Sequence, residues 1–193
     1  ESEGAAAKSA HTNRSANTVR LPAGSSDGDL AAAIAAAGPR GTVIVEAGIH
    51  TETSSVMITD PVTILGEEGA VIEFDSDPAT TSLSRIDAGF HVKNTRQVKI
   101  QGLEIRDNDA GSTAILIEGS EHVSIEDNRI TDFQFGVLVE SADHATLDGN
   151  DIGMSSGRLP VRSFGILVVN GFGNHVRNNT VSEATFGIFV SGE

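Results

Sequence analysis

Gly136-Val137-Leu138-Val139 is one copy of the pattern that decides the fold: a small residue followed by an apolar–any–apolar triplet. The other copies are Gly89-Phe90-His91-Val92, Ala114-Ile115-Leu116-Ile117, Gly165-Ile166-Leu167-Val168 and Gly187-Ile188-Phe189-Val190. Their small residues are spaced by 25, 22, 29 and 22 positions. A degenerate motif at such a period marks a solenoid, whose units bury their apolar faces only by stacking on one another.

Working outward from that strand, each unit continues through a turn into a second strand (Val98/Ile100, Val123/Ile125, Ala145/Leu147, Asn174/Val176) and, after a tight turn, into a third centred on Ile105, Ile130, Ile152 or Val181. Three short strands per 22-residue unit make the coil of a parallel β-helix. Asn128, Asn150 and Asn179 fall in register at the tight turn, where Asn tolerates left-handed backbone and stacked amides can bond from coil to coil as an asparagine ladder. Phe135, Phe164 and Phe186 precede the small residue and are expected to form an internal stack. Coils lie about 4.8 Å apart, so equivalent positions become vertical neighbours.

Upstream, Asp29-Leu-Ala-Ala-Ala-Ile-Ala-Ala-Ala-Gly38-Pro39 has an acidic start, strong helix formers and a Gly-Pro stop. So short a helix is marginal alone. It reads as a lid over the open end of the solenoid, packed by Leu30 and Ile34. Residues 1–17 are small, polar and aperiodic and are expected to be a flexible segment left after removal of a signal peptide. The β-helix domain is expected over 18–193, with its helical cap at 29–38 and its C-terminal end open.

The 193 residues suffice for one core, and the formal charge is −14, with three Lys against 27 acids. Phosphate backbones need clustered cations, so nucleic acid is excluded as a partner. No stretch approaches the roughly 18 apolar residues of a membrane span. There is no Cys, and Phe is the only aromatic residue type.

From Asp29 to Glu193 the chain resembles the right-handed parallel β-helix superfamily that includes pectate lyases, alginate epimerases and lyases, and the periplasmic copper-binding accessory protein of nitrous-oxide reductase maturation. Its opening DLAAAIAAAGPRGTVIVEAGIH looks like that group's N-terminal entry. The implied fold is all-β, a right-handed single-stranded parallel β-helix with a short N-terminal capping helix. In polysaccharide-active members substrate lies along the outer face of the first strand, walled by the loops that precede it.

The one clear insertion, 153–163, falls in such a loop, and long loops on rigid scaffolds usually carry function. Its Arg158-Leu-Pro160-Val-Arg162 looks like the Arg-x-Pro-x-x-Arg signature of pectate lyases, one residue short. The resemblance implies Arg158 or Arg162 as the base that removes the proton alpha to a uronate carboxylate, helped by Ca²⁺. Asp107, Asp109, Asp132 and Glu183 in neighbouring coils are the oxygen ligands such a cation would take. The alternative is that the arginines neutralise an acidic surface and the carboxylates are solvated turn residues.

Alternation leaves His91, Leu116, Leu138, Leu167 and Phe189 outward in one column of the first strand. Each apolar side chain there forgoes roughly 1.5–3 kcal/mol if left in water, so the stripe calls for a cover or a partner. Flanking it, Lys93, Glu118 and Glu140 join His91 as substrate-binding candidates. In the turn after the first strand His122 aligns with His144, and Glu121 with Asp143, a set that a transition metal would satisfy. Three readings therefore stand side by side. The first is an exported protein, secreted or periplasmic, that binds or processes polysaccharide, uronate-containing polymers by β-elimination or epimerisation, with calcium or without cofactor. The second is a non-enzymatic scaffold that self-associates through the apolar stripe or an uncapped end. The third is a periplasmic copper accessory protein.

Overall fold

The computed structural model describes residues 17–75, 88–107, 113–153 and 163–192. About six coils wind into a parallel β-helix of three sheets, with one helix at the N-terminal end. With strands numbered in chain order, the first sheet runs β1 (Thr18–Leu21), β2 (Gly41–Val45), β5 (Val62–Gly66), β8 (Lys99–Gln101), β11 (Ser124–Glu126), β14 (Thr146–Asp148), β17 (His175–Arg177). The second runs β4 (Val56–Ile58), β7 (Ala88–Lys93), β10 (Thr113–Glu118), β13 (Phe135–Glu140), β16 (Phe164–Val169), β19 (Phe186–Ser191). The third runs β3 (Gly48–Glu52), β6 (Ala70–Phe74), β9 (Glu104–Asp107), β12 (Arg129–Thr131), β15 (Asp151–Gly153), β18 (Thr180–Ser182).

Every alignment read from the repeat recurs in the strand pairing. Phe90, Ile115, Val137, Ile166 and Ile188 lie one above another in the second sheet, Ile100, Ile125, Leu147 and Val176 in the first, and Ile105, Ile130, Ile152 and Val181 in the third. Period-2 alternation turns these columns inward to make one continuous core, with Val176 and Val181 packed at its edge and Ile188, in the last coil, exposed. At Gly89, Gly136 and Gly165 the small residue is needed for space. A Cβ at Gly136 would lie 2.5 Å from the Gly165 carbonyl oxygen and 2.6 Å from Ile152.

The amide of Asn150 bonds in both directions along its corner. Its Oδ1 accepts from the backbone N–H and Nδ2 of Asn128, each at 3.1 Å, and its Nδ2 donates to Asn179 Oδ1 at 2.9 Å and to the Ile125 carbonyl at 2.9 Å. The left-handed residue at this corner is not the Asn, however. It is the residue before each one, Asp127, Gly149 and Asn178, and Gly102 in the coil where Leu103 takes the Asn position. That preceding residue makes the bend, and the Asn that follows turns its side chain inward to bond the backbone of the coil below.

The Phe column also differs from expectation. Phe135, Phe164 and Phe186 do stack, at 5.3 and 4.6 Å between ring centroids, but they are half-buried to exposed and lie outside the core. The internal aromatic group is Phe74 with Phe90 and Phe133, in edge-to-face contacts. Of the outward column, His91, Leu116 and Leu138 are buried within the single chain, the two leucines in a cluster separate from the core, so no second molecule is needed to cover them, whereas Phe189 is exposed.

The helix α1 (Asp29–Ala37) buries Leu30, Ala33 and Ala37 against the first coil, with Ile34 packed at the edge of the core. Its free N-terminal amides are met by Glu52, only 2% exposed, whose carboxylate accepts from Gly28 N at 2.9 Å and Leu30 N at 3.3 Å. Beside it, Ser25 Oγ bonds the buried His50 Nδ1 at 2.6 Å, and Asp27 accepts from Thr53 N and Ser54 N. The cap is thus bolted to β3 by polar side chains as well as by its apolar face.

Candidate functional site

The outer face of the second sheet carries the best-defined polar group. Pairing sets His91 beside Leu116 and Lys93 beside Glu118, so Glu118 reaches diagonally across to the coil below. Its Oε2 lies 2.8 Å from His91 Nε2 and 3.2 Å from Lys93 Nζ. The imidazole is buried, while the carboxylate and the ammonium are each a little over one-third exposed. The hydrogen bond from His91, with Lys93 adding to it against the cost of burial, holds the Glu118 carboxyl below the usual carboxylate range. Glu118 is therefore an anion at neutral pH, suited to accept a hydrogen bond from a hydroxyl group. Glu140 sits in register above Glu118, and Met57 in register below His91, half-exposed.

Where β7 and β10 end, the chain turns away from the sheet through left-handed residues Asn94 and Gly119, with φ of 49° and 55°. The turn opens a groove of about 390 Å³ lined by Pro61, Asn94, Thr95, Arg96, Gly119 and Glu121, contributed by three successive coils. Lys93 and Glu118 immediately precede the lining residues Asn94 and Gly119, so the polar group and the groove are neighbours along both strands. The repeat analysis singled out none of Pro61, Asn94, Thr95, Gly119 or Arg96. The one available signal was that Lys93, Arg96 and Lys99 concentrate cations in a short span of an acidic chain.

The other candidates are placed as follows. Asp107 ends β9, Asp132 follows β12 and Glu183 follows β18, and the order β9–β12–β15–β18 leaves a whole coil between Asp132 and Glu183. His122 and His144 stack with ring centroids 5.1 Å apart and planes 11° from parallel, and Phe172 meets His144 edge-on. Asp143, which aligns with Glu121, accepts from Phe172 N at 2.7 Å. Among the described residues no three His, Asp or Glu side chains are grouped to hold a metal ion. Arg158, Arg162 and Asp109 lie outside the described residues.

Residues 81–193, more than half of the sequence, match the family described as the right handed beta helix region. The chain belongs to that family. No curated protein matches it. Among solved structures, this β-helix protein is similar to a candidate glycosyl hydrolase from Parabacteroides merdae ATCC 43184, with 16% identity over 83% of this chain and 88% of that one and a TM-score of 0.54. It is also similar to an alginate lyase from Paenibacillus sp. str. FPU-7, with 15% identity, coverage of 89% and 76%, and a TM-score of 0.40. At such identities the likeness is one of fold. No helix among the described residues is long and apolar enough to cross a membrane.

Proposed function

We propose that this β-helix protein binds and processes polysaccharide along the outer face of its second sheet, with Lys93, Glu118 and Glu140 in contact with the sugar chain and the buried His91 fixing Glu118 from beneath. The observation that carries this reading is the buried His91 imidazole fixed at 2.8 Å by a partly exposed Glu118 carboxylate beside an open polar groove. The parallel sheet offers an extended track, and the His91–Glu118 pair offers a hydrogen-bond acceptor held in one orientation. The family and the glycosyl hydrolase fold likeness support the general class.

The finer reading is action on uronate-containing polymers by β-elimination or epimerisation, in a protein that works where such polymers are met, outside the cytoplasm. Arg158 or Arg162 would remove the proton alpha to the uronate carboxylate. Calcium held by carboxylates from adjacent coils among Asp107, Asp109, Asp132 and Glu183 would acidify that proton, since an arginine is almost wholly protonated near neutrality and has little free base to offer without such help. The support is the near-match of the 158–162 segment to the lyase signature. Incubation with pectate and alginate, with and without Ca²⁺, tests it by ultraviolet absorbance of the unsaturated product and by product stereochemistry. Activity abolished by Arg158→Ala or Arg162→Ala is the expected result. No product from any uronate polymer would overturn the finer reading.

A further inference from the structure

The groove beyond β7 and β10 is unlike the outer face in its chemistry. Much of its backbone is paired: Thr95 N donates to the buried Ser120 Oγ at 3.2 Å, Glu121 N to the Thr95 carbonyl at 2.9 Å, and Gln97 N to the Glu121 carbonyl at 3.1 Å. Its side chains are not. Asn94, Thr95, Arg96 and Glu121 make no side-chain hydrogen bond or ion pair among the described residues, whereas the cations on either side are engaged, Lys93 with Glu118 and Lys99 with Glu126. Gly119 keeps the space open, because a Cβ there would stand 2.6 Å from Asn94 Oδ1. At about 390 Å³ the volume lies within the range of pockets for small ligands, about 300–1,000 Å³.

We propose that this groove is a binding subsite for one uncharged, hydroxyl-rich sugar residue, held between the Arg96 guanidinium and the Glu121 carboxylate. A hydroxyl both donates and accepts, and so needs partners of both kinds. Arg96 supplies only donors, Glu121 only acceptors, and Asn94 and Thr95 supply both, while Pro61 gives an apolar wall. One cation and one anion leave the groove without net charge, and the chain as a whole carries −14, so a polyanion gains nothing there that a neutral sugar lacks. The proposal rests on the reading that this protein binds polysaccharide, and it adds that part of the ligand is uncharged.

Calorimetric titration of the full chain with uncharged gluco-, xylo-, manno- and galacto-oligosaccharides, and separately with oligogalacturonate, tests it. The expected result is binding of at least one uncharged oligosaccharide, weakened about tenfold by Arg96→Ala and by Glu121→Gln, as fits loss of a hydrogen bond to a charged group. Arg129→Ala, which removes an exposed positive charge elsewhere, leaves that affinity unchanged. Uncharged binding that neither groove variant weakens overturns the proposal. Binding of oligogalacturonate alone overturns it as well, yet leaves the outer-face reading standing. Binding of neither class overturns both. Arg96 and Glu121 are exposed, so the variants test recognition and not folding.

Discussion

His91 is buried on the outer face of the sheet, and its Nε2 lies 2.8 Å from the carboxylate of Glu118 one coil away. The pair ties two coils together and keeps an imidazole where an apolar column would otherwise run unbroken from Met57 through Leu116 to Leu138.

Replacing Glu118 with Gln should therefore weaken the protein in a pH-dependent way. The folded-state pKa of Glu118 is depressed, chiefly by the His91 hydrogen bond. A carboxyl of that kind contributes stability at pH above its unfolded value, about 4.3, and loses it as pH falls through the folded one. The melting-temperature difference between wild type and Glu118→Gln is expected to be largest near neutrality and to shrink on acidification below that value. Solvent screening of a partly exposed carboxylate keeps the effect to about 1 kcal/mol. A difference independent of pH would show that His91 does not grip the ionised form.

Asn150→Ala should cost more. Asn150 is 1% exposed, and its loss leaves the Asn128 N–H and the Ile125 carbonyl buried without their partner. Each orphaned group costs about 1–3 kcal/mol, so a total of about 3 kcal/mol is expected in chemical denaturation. A loss under about 1 kcal/mol would mean that the neighbouring coils re-pair without it.

Close approach between coils predicts a contrast among glycines of one column. Gly136→Ala forces a methyl to within 2.5 Å of the Gly165 carbonyl oxygen and should destabilise by about 1–3 kcal/mol. Gly187→Ala meets nothing within 4 Å and should lie within about 0.5 kcal/mol of wild type. Thermal unfolding of the two variants side by side checks the ordering.

These differences explain how much was legible beforehand. The coil register was readable because a solenoid repeats its buried positions at the period of the sequence, so Ile100, Ile125 and Leu147 announce one another. Corner conformations were less so. Asp127, Gly149 and Asn178 share no residue type, and the eye is drawn to the invariant Asn that follows each. The same holds for the site. Alignment puts Glu118 beside Glu140, but the side chain reaches diagonally to His91, a contact set by rotamer and not by register. The groove around Arg96 arises from the left-handed turns at Asn94 and Gly119, which carry no common sequence signal.

Glu52 supplies a prediction of opposite sign to that of Glu118. Burial beneath the helix cap holds its carboxyl above the usual range, outweighing the hydrogen bonds from Gly28 and Leu30 that act the other way. An acid whose folded pKa is raised binds its proton more tightly in the folded state. Its contribution is complete below the unfolded pKa and is lost as pH rises through the folded one. Gln at this position does not titrate, and it keeps one acceptor oxygen for the two amides at the start of α1. Wild type minus Glu52→Gln in melting temperature should thus decrease as pH rises from about 4.3, the ordinary Glu value. At neutral pH the relieved buried charge offsets the cap that the single oxygen fails to make, about 1 kcal/mol for such a cap. A difference that instead grows with pH would mean that the helix amides stabilise the carboxylate more than burial penalises it, reversing the direction assigned to Glu52.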